Sequence, residues 1–278
     1  MPKAAPQSPP DLTITSRNLH FAEAARAPRW WHSGDPVVTA YYNALSASFP
    51  LGERYFIDCV KRFRDRGDAH LQMQIETFIA QESLHTREHI AFNRIAADHG
   101  YDLSRIDAFL KRRFAWARSR GPLEQLASTI ALEHFTAILA HALLTDARHL
   151  EGVPAGIQDL WCWHAIEEIE HKAVAFDTFL AATQRLSGFR RWLLRSWVMA
   201  VTTLLFFHEV VFGVREFLRQ DHLNNARSWL QFVHYVFVRP GVLRCVMGSY
   251  FTYYKPGFHP WRVDDRALIA KFEPSLAR

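Results

Sequence analysis

Apolar residues recur every three or four positions over most of the chain, which is the period of a helix with one buried face. Proline, glycine and clusters of polar residues interrupt this pattern and mark the helix ends. The pattern predicts helices over the approximate ranges 50–65, 69–98, 121–149, 155–184, 189–219 and 223–248. Pro50 is placed in the first turn of the first helix, where proline is favoured. The predicted fold class is therefore all-α.

The remaining segments lack the helical period. Residues 1–10 are rich in proline and are expected to be disordered, and the tail after residue 256 is expected to be irregular. The chain is accordingly divided into three predicted parts. These are an irregular N-terminal arm over 1–40, a four-helix di-metal bundle over 41–185, and additional helices with a tail packed on the bundle over 186–278.

The stretch 192–214 is the most apolar part of the chain. Its uninterrupted apolar run, 196–207, is shorter than the about 20 residues that a membrane-spanning helix needs. Arg195, His208 and Glu209 flank that run. We therefore expect a buried helix. A helix that lies against a membrane or forms a homodimer interface is the alternative.

Composition narrows the functional classes. Aromatic residues make up 14% of the chain, which suits a bulky core, an apolar pocket or an apolar partner surface. The net charge of +5 comes without a nucleic-acid-binding motif, so no nucleic-acid partner is predicted. Cys59, Cys162 and Cys245 are too widely spaced for a disulfide framework or a cysteine-based metal site. No signal-peptide pattern is present, and the expected location is the cytoplasm.

Ionisable residues fall on the predicted buried face of the second helix. There the apolar stripe passes from Phe78 through Glu82, His85 and His89 at spacings of three and four. Burying three ionisable groups costs free energy unless a partner compensates them. A metal ion is such a partner.

Three other predicted helices also carry ionisable residues on faces that are predicted to be buried. Acidic and histidine side chains fall on or near their inward faces at Glu53 in the first, Glu133 in the third, and His164, Glu168 and His171 in the fourth. Two Glu-x-x-His elements with a glutamate from each of two further helices form the ligand set of di-iron and di-manganese four-helix bundles. The spacing matters because residues i and i+3 lie about one turn apart and can reach the same metal pair.

These residues resemble the ferritin-like superfamily and, more narrowly, a bacterial family of predicted metal-dependent hydrolases. The likeness covers most of residues 15–250 and rests on the blocks Arg17-Asn18-Leu19, Pro28-Arg29-Trp30-Trp31, Phe49-Pro50-x-Gly52-Glu53, Gln81-Glu82-x-x-His85-x-x-Glu88-His89-x-x-Phe92-Asn93 and Trp163-His164-x-x-Glu167-Glu168-x-Glu170-His171-Lys172. The resemblance implies a ferritin-like four-helix bundle, to which the last two predicted helices are added.

The candidate site is also similar to that of the p-aminobenzoate N-oxygenase group of di-iron enzymes. That group has an extra histidine one turn before its last Glu-x-x-His, and His164 stands at that place. The resemblance implies the metal ligands and catalytic residues Glu53, Glu82, His85, Glu133, His164, Glu168 and His171. One departure is that Glu53 falls in the first turn of its predicted helix, whereas the first glutamate of such sites lies deeper.

Further polar residues flank these ligands in sequence. His89 follows His85 by one turn and is predicted to be an outer partner of the site, with a further ligand as the alternative. Glu167, Glu170 and Asp177 are predicted to accept the free N–H of a ligand histidine, since such outer partners usually orient the ligands.

The leading functional hypothesis is a di-iron oxidoreductase. Two iron ions, or manganese or a mixed pair, would activate O2 to oxidise a lipophilic or aromatic small molecule, with electrons from an external donor. The main alternative is a zinc-dependent hydrolase, because residues 85–89 match the His-x-x-Glu-His motif. In that case His85 and His89 bind zinc and Glu88 is the base. A non-catalytic metal-binding protein is a third hypothesis.

Overall fold

The computed structural model describes residues 8–9, 11–21, 24 and 26–273. Within these ranges the chain is helical and contains no β-strand, which confirms the all-α prediction. The expected disorder of residues 1–10 falls mostly outside the described residues. The α-helices are α1 Pro36–Lys61, α2 Ala69–Asp98, α3 Ser104–Arg118, α4 Pro122–Thr145, α5 Ala155–His171, α6 Val174–Ala182, α7 Gly188–Gln220, α8 Ala226–Phe237, α9 Val242–Thr252 and α10 Arg266–Phe272.

Four long helical units surround the centre of the molecule. α1 packs on α2, α4 packs on α5, and contacts of α1 with α4 and of α2 with α5 and α6 close the bundle. Large apolar side chains such as Phe78, Leu126, Ile157 and Ile166 are almost fully buried there. α7 packs across α1 and α4, α9 lies on α4, and α3 fills the angle between α1 and α7. The inward faces of α1, α2, α4 and α5 therefore meet at the centre of the bundle.

The first helix begins at Pro36 and not at Pro50 as predicted. Asp35 caps it, because its Oδ1 accepts hydrogen bonds from the backbone N–H groups of Val37 at 2.8 Å and Val38 at 3.2 Å. Pro50 lies inside the helix and cannot donate to the carbonyl of Ser46. Asn93 Nδ2 donates to that carbonyl at 3.0 Å instead. A partner from α2 therefore compensates the break in the α1 hydrogen-bond ladder.

Other helix bounds also differ from the predicted ones. α3 was not predicted, although Ile106, Leu110, Phe114 and Ala117 form its buried stripe. The predicted helix over 155–184 is interrupted after His171, and the predicted helix over 223–248 is divided into α8 and α9. Pro240, which has no N–H, and a glycine at position 241 with φ of +80° separate these two helices. The tail contains the short helix α10.

α7 is buried on one face only. By length and composition both Pro122–Thr145 and Gly188–Gln220 could cross a membrane, but 72% of the apolar window is buried in the first and 33% in the second. The inner face of α7 packs closely on α1, since a side chain at Gly213 would lie 2.7 Å from the Cβ of Ala44. The expectation of a buried helix therefore holds for one face of α7 and is wrong for the other.

Candidate metal centre

The seven predicted ligands meet in the middle of the bundle. α1 supplies a glutamate, α2 a glutamate and a histidine, α4 a glutamate, and α5 two histidines and a glutamate. Each of these residues is at most 5% exposed: Glu53, Glu82, His85, Glu133, His164, Glu168 and His171. Because α1 begins at Pro36, Glu53 lies deep in its helix. The predicted departure at this position is therefore wrong, and its cause was the misplaced helix start.

Glu168 lies between the histidines. Its Oε1 is 2.9 Å from His164 Nε2 and 3.6 Å from His85 Nδ1. Its Oε2 is 3.5 Å from His171 Nε2, which itself lies 3.1 Å from Glu82 Oε1 and 3.4 Å from Glu133 Oε2. The two oxygens of Glu168 thus contact different histidines, and the histidine at its Oε2 also lies beside Glu82 and Glu133.

Glu53 completes the centre on the α1 side. Its ligand atoms lie within 4.8 Å of those of Glu82 and His85, and a second such group joins it to His89 and His164. Thr86 Oγ1 donates to Glu53 Oε2 at 2.8 Å, which leaves the other carboxylate oxygen of Glu53 directed at the centre without a hydrogen bond.

The protonation states reflect four carboxyl groups in an enclosed space. Burial, together with the neighbouring carboxylates, raises the pKa of Glu82 to about 8 and that of Glu133 to about 7, and it raises the pKa of Glu53 strongly. Burial acts against the charged form of Glu168 as well, but attraction to His171 and His164 outweighs it and holds its pKa well below the usual value. Without a cation, the fold therefore retains protons on most of these glutamates.

The donor atoms fit metal ions. Buried polar atoms in proteins normally have hydrogen-bond partners. Within the described part of the chain, the following donor atoms of the centre have none: Glu53 Oε1, both oxygens of Glu82 and Glu133, Glu168 Oε2, His85 Nδ1 and His171 Nε2. Carboxylate oxygens and imidazole nitrogens are ligands of iron, manganese and zinc. Metal cations would supply the partners that these atoms lack.

Outer contacts orient His85. Its Nε2 is 3.2 Å from Glu167 Oε2, so the N–H is on this side and the Nδ1 lone pair faces the centre. Glu167 Oε1 accepts from Trp163 Nε1 at 3.1 Å and from the backbone N–H of Arg17 at 2.8 Å. Burial raises the pKa of Glu167 to about 7. Glu167 is thus placed to accept the N–H of His85, and its role beside a metal ligand stays a prediction.

Gln81 orients His171. Its Oε1 is 3.0 Å from His171 Nδ1, and its Nε2 donates to Glu170 Oε2 at 3.0 Å. Because Gln81 Nε2 is the donor to Glu170, Gln81 Oε1 accepts the N–H of His171 Nδ1. His171 Nε2 therefore faces the centre. Arg17 Nη2 donates to Glu170 Oε1 at 2.6 Å. Glu170 therefore supports the histidine through Gln81 and not by a direct bond as predicted.

His89 orients His164. His89 Nε2 is 2.7 Å from His164 Nδ1, and His89 Nδ1 is 2.8 Å from Ser46 Oγ, which donates to Asn93 Oδ1 at 2.8 Å. Because Nε2 of His164 faces Glu168, the N–H at Nδ1 of His164 donates to His89 Nε2. The N–H at Nδ1 of His89 then donates to Ser46 Oγ. Burial lowers the pKa of His89 strongly, so it is neutral. These contacts favour an outer partner over a further ligand.

Asp177 and Glu88 do not contact the groups that their predicted roles require. Asp177 accepts from His259 Nε2 at 2.9 Å and from Ser8 Oγ at 2.7 Å, so its histidine partner is not one of the ligands and the predicted role is corrected. Glu88 faces the N-terminal segment, where its carboxylate accepts from Arg87 Nε at 2.7 Å and from Phe21 N at 3.3 Å. A zinc-peptidase motif would require Glu88 beside the metal instead.

Sequence reasoning did not assign roles to Gln81, Thr86, Ser46 and Asn93. Gln81 and Thr86 are polar residues at the edges of the buried stripe of α2, one immediately before Glu82 and the other immediately after His85. Both are buried. Their position beside the ligands was a signal that could have identified them, whereas Ser46 depends on the contact between α1 and α2.

We expect Gln81→Leu to weaken metal binding by about 10- to 100-fold, the range typical for loss of an outer partner. The substitution keeps the size of the side chain but removes the acceptor for His171 Nδ1–H. Affinity is measured by competition with a chelator. Gln74→Leu is the matched control, because Gln74 is also a buried glutamine of α2. Equal affinities of the two variants would contradict the assigned role of Gln81.

Together, the fold and the site define an all-helical protein with a buried histidine and carboxylate centre suited to metal ions. Residues 15–264 match the family described as "Predicted metal-dependent hydrolase", and the chain belongs to this family. The description indicates a metal-dependent enzyme, in agreement with the clustered donors. No curated protein and no solved structure matches the chain.

Proposed function

We propose that the protein is a di-iron oxidoreductase of ferritin-like fold that uses O2 to oxidise a lipophilic small molecule. The donor set carries the proposal: two Glu-x-x-His elements and two further glutamates from four helices match the ligands of di-iron carboxylate bundles. The additional histidine, His164, is the feature shared with N-oxygenase-type sites. Two iron ions bound by these residues would supply electrons to O2 and activate it.

A narrow apolar cavity beside the centre supports a lipophilic substrate. It has a volume of about 60 Å³ and reaches His164 and Glu168. Its walls are mainly apolar side chains of α1, α4, α5, α7 and α9, among them Leu45, Phe49, Leu139, Leu143, Trp161, Phe206 and Val242. Such walls exclude water and favour a slender hydrocarbon chain over a polar molecule.

The outer contacts would hold the ligands while substrate binds. Glu167, Gln81 and His89 each fix one ligand histidine by a hydrogen bond on the side away from the centre.

In the simplest balanced reaction, one oxygen atom of O2 is inserted into a C–H bond of the substrate and the other leaves as water. An external donor supplies two electrons and solvent supplies two protons.

Hydrolysis at the same centre is the second candidate, because the family description names it. It would have to use one of the carboxylates of the centre as base, since Glu88 faces the N-terminal segment. Exchange of the metal separates the two candidates. Hydrolysis needs a Lewis acid and proceeds with zinc, whereas O2 chemistry needs a redox-active metal.

We expect the anaerobic protein to bind two iron(II) ions per chain and to consume O2 with a transient visible absorption band. Metal analysis and stopped-flow spectroscopy measure these quantities, and the zinc-loaded protein is the control without redox chemistry. An iron-loaded protein that ignores O2, together with a zinc-loaded protein that hydrolyses esters or peptides, would overturn the proposal in favour of the hydrolase.

A further inference from the structure

A continuous apolar stripe runs along the outer side of α7. Exposed side chains recur at spacings of three, four and seven, and they lie on one side of the helix: Phe189, Leu193, Trp197, Leu204, Phe207 and Val211. Trp197 is 68% exposed and Leu204 is 73% exposed. From Phe189 to Val211 the stripe extends over roughly 33 Å at about 1.5 Å per residue.

The C-terminal end of α9 contacts α7 and widens this surface. Trp192 Nε1 donates to the Tyr254 carbonyl at 2.7 Å, and Thr203 Oγ1 is 3.0 Å from Tyr250 Oη. On α9, Met247 is 46% exposed. Together with Phe251, which is 56% exposed, it joins the apolar stripe of α7 to form what we call the α7–α9 face.

In the segment that forms this face the exposed charges have one sign, and on the neighbouring α4 the acidic Glu124, which shares a groove with Trp197, is paired with Arg120 at 3.5 Å. From residue 188 to residue 255, a stretch that the structure describes throughout, every exposed charged side chain is basic: Arg190, Arg215, Arg219, Arg227, Arg239, Arg244 and Lys255. The acidic residues of the stretch are Glu209 and Glu216, which are buried, and Asp221, which is paired with Arg29 at 2.6 Å. Between Arg191 and His208 the outer side of α7 has no exposed charge.

This pattern selects an anionic lipid surface over a second copy of the chain. Apolar and aromatic side chains bordered by arginine and lysine are the composition of helices that lie in the plane of a membrane. Anionic lipid headgroups attract each nearby basic residue. Two copies that met through this face would bring their basic borders together and repel each other.

The inner face of α7 argues against a span across the bilayer. Arg195 is buried and donates to the Lys255 carbonyl at 2.6 Å, and Glu209 is buried beside Arg113, with 3.8 Å between Oε2 and Nε. A spanning helix would have to leave these contacts and its packing on α1. Contact through one face keeps them.

The cavity beside the candidate metal centre reaches the same two helices. Phe206 of α7 and Val242 of α9 line it together with His164 and Glu168 of the centre. For an apolar molecule in a bilayer at α7 and α9, this apolar cavity would therefore be the space that lies between the membrane and the centre.

We propose that the α7–α9 face docks on an anionic membrane and that the cavity receives its substrate, a molecule with a hydrocarbon chain, from that membrane. The assignment of a substrate rests on the proposed function, whereas the docking does not. The same helices thus have two roles, because their outer side binds lipid and their inner side lines the path to the centre.

The test is sedimentation of the full chain with phosphatidylcholine vesicles that contain or lack phosphatidylserine. We expect binding to the anionic vesicles. A fluorophore attached to the cysteine of a Met247→Cys, Cys245→Ser variant should shift to shorter wavelength on binding, because position 247 is exposed on this face. A variant that combines Arg190→Gln, Arg244→Gln and Lys255→Gln should bind the anionic vesicles roughly 100-fold more weakly at low salt. A variant that combines Trp197→Glu and Leu204→Glu should bind both kinds of vesicle at least about tenfold more weakly.

Met73→Glu is the matched control, because Met73 is 61% exposed on α2, away from this face. Equal loss in the control and in the Trp197→Glu, Leu204→Glu variant would overturn the proposal, as would a dimer in light scattering that Leu204→Glu dissociates. Retention in the membrane pellet after carbonate extraction would overturn it in favour of a span. A protein that binds vesicles but consumes no O2 overturns only the proposed function, and the reverse result overturns only the docking.

Discussion

Replacing Glu168 with glutamine is expected to reduce bound metal from two ions per chain to one or none. Glu168 contacts His85 and His164 through one oxygen and His171 through the other. An amide presents one oxygen and one N–H₂ group, so it cannot donate lone pairs to both sets. Activity should fall by more than about 100-fold, the upper end of the range for loss of an outer partner.

Metal analysis and turnover of the purified variant measure this effect, and circular dichroism shows whether the helices remain. Glu76→Gln is the matched control, because Glu76 is exposed on α2 and pairs only at the surface with Arg64 at 3.3 Å. The substitution also removes the charge that is paired with His171 and His164 in the fold, so the metal-free variant should be less stable than the metal-free parent protein. An E168Q protein that keeps two metal ions would show that the centre is built from other residues.

The metal-free protein is expected to lose stability as the pH rises, and the metal-loaded protein is not. The pKa of Glu82 is raised to about 8 and that of Glu133 to about 7 in the fold. Both groups titrate near 4.3 in the unfolded chain. Between these values the folded state binds more protons than the unfolded state, so the free energy of unfolding falls by up to about 1.4 kcal/mol per pH unit for each proton.

The raised pKa of His171 acts in the same direction, since its charged form is favoured in the fold. Bound metal replaces these protons, and loading becomes more favourable as the pH rises. Calorimetry at pH 6 and pH 8 with and without metal measures the difference, which should widen by roughly 5 °C or more in Tm. A stabilisation by metal that is the same at both pH values would contradict the proposed ligand role of these carboxyl groups.

Much of the candidate site could be predicted because its residues interrupt apolar stripes. Glu82, His85 and His171 occupy positions where periodicity demands apolar side chains, and helix geometry alone brings i and i+3 residues together. The assembly of α1, α2, α4 and α5 around them was predicted from the glutamates and histidines that these four helices carry. The metal identity and the reaction stay predictions.

The error at the start of α1 shows where local patterns fail. Proline is favoured in a first turn, and nothing within α1 indicates that Pro50 is tolerated in the interior. The compensating partner, Asn93, lies on another helix. Likewise, the acceptor of Gln81 and the backbone donor to Glu167 involve residues far apart in sequence. Such contacts depend on tertiary packing, which periodicity does not encode.

The proline in α1 links the backbone to the candidate centre. It frees the Ser46 carbonyl for Asn93, and the hydroxyl of the same serine contacts His89, the partner of His164. An N–H at position 50 would compete with Asn93 for that carbonyl. The hydrogen bond that α1 does not make at position 50 thus helps to fix the orientation of His164, through Ser46 and His89.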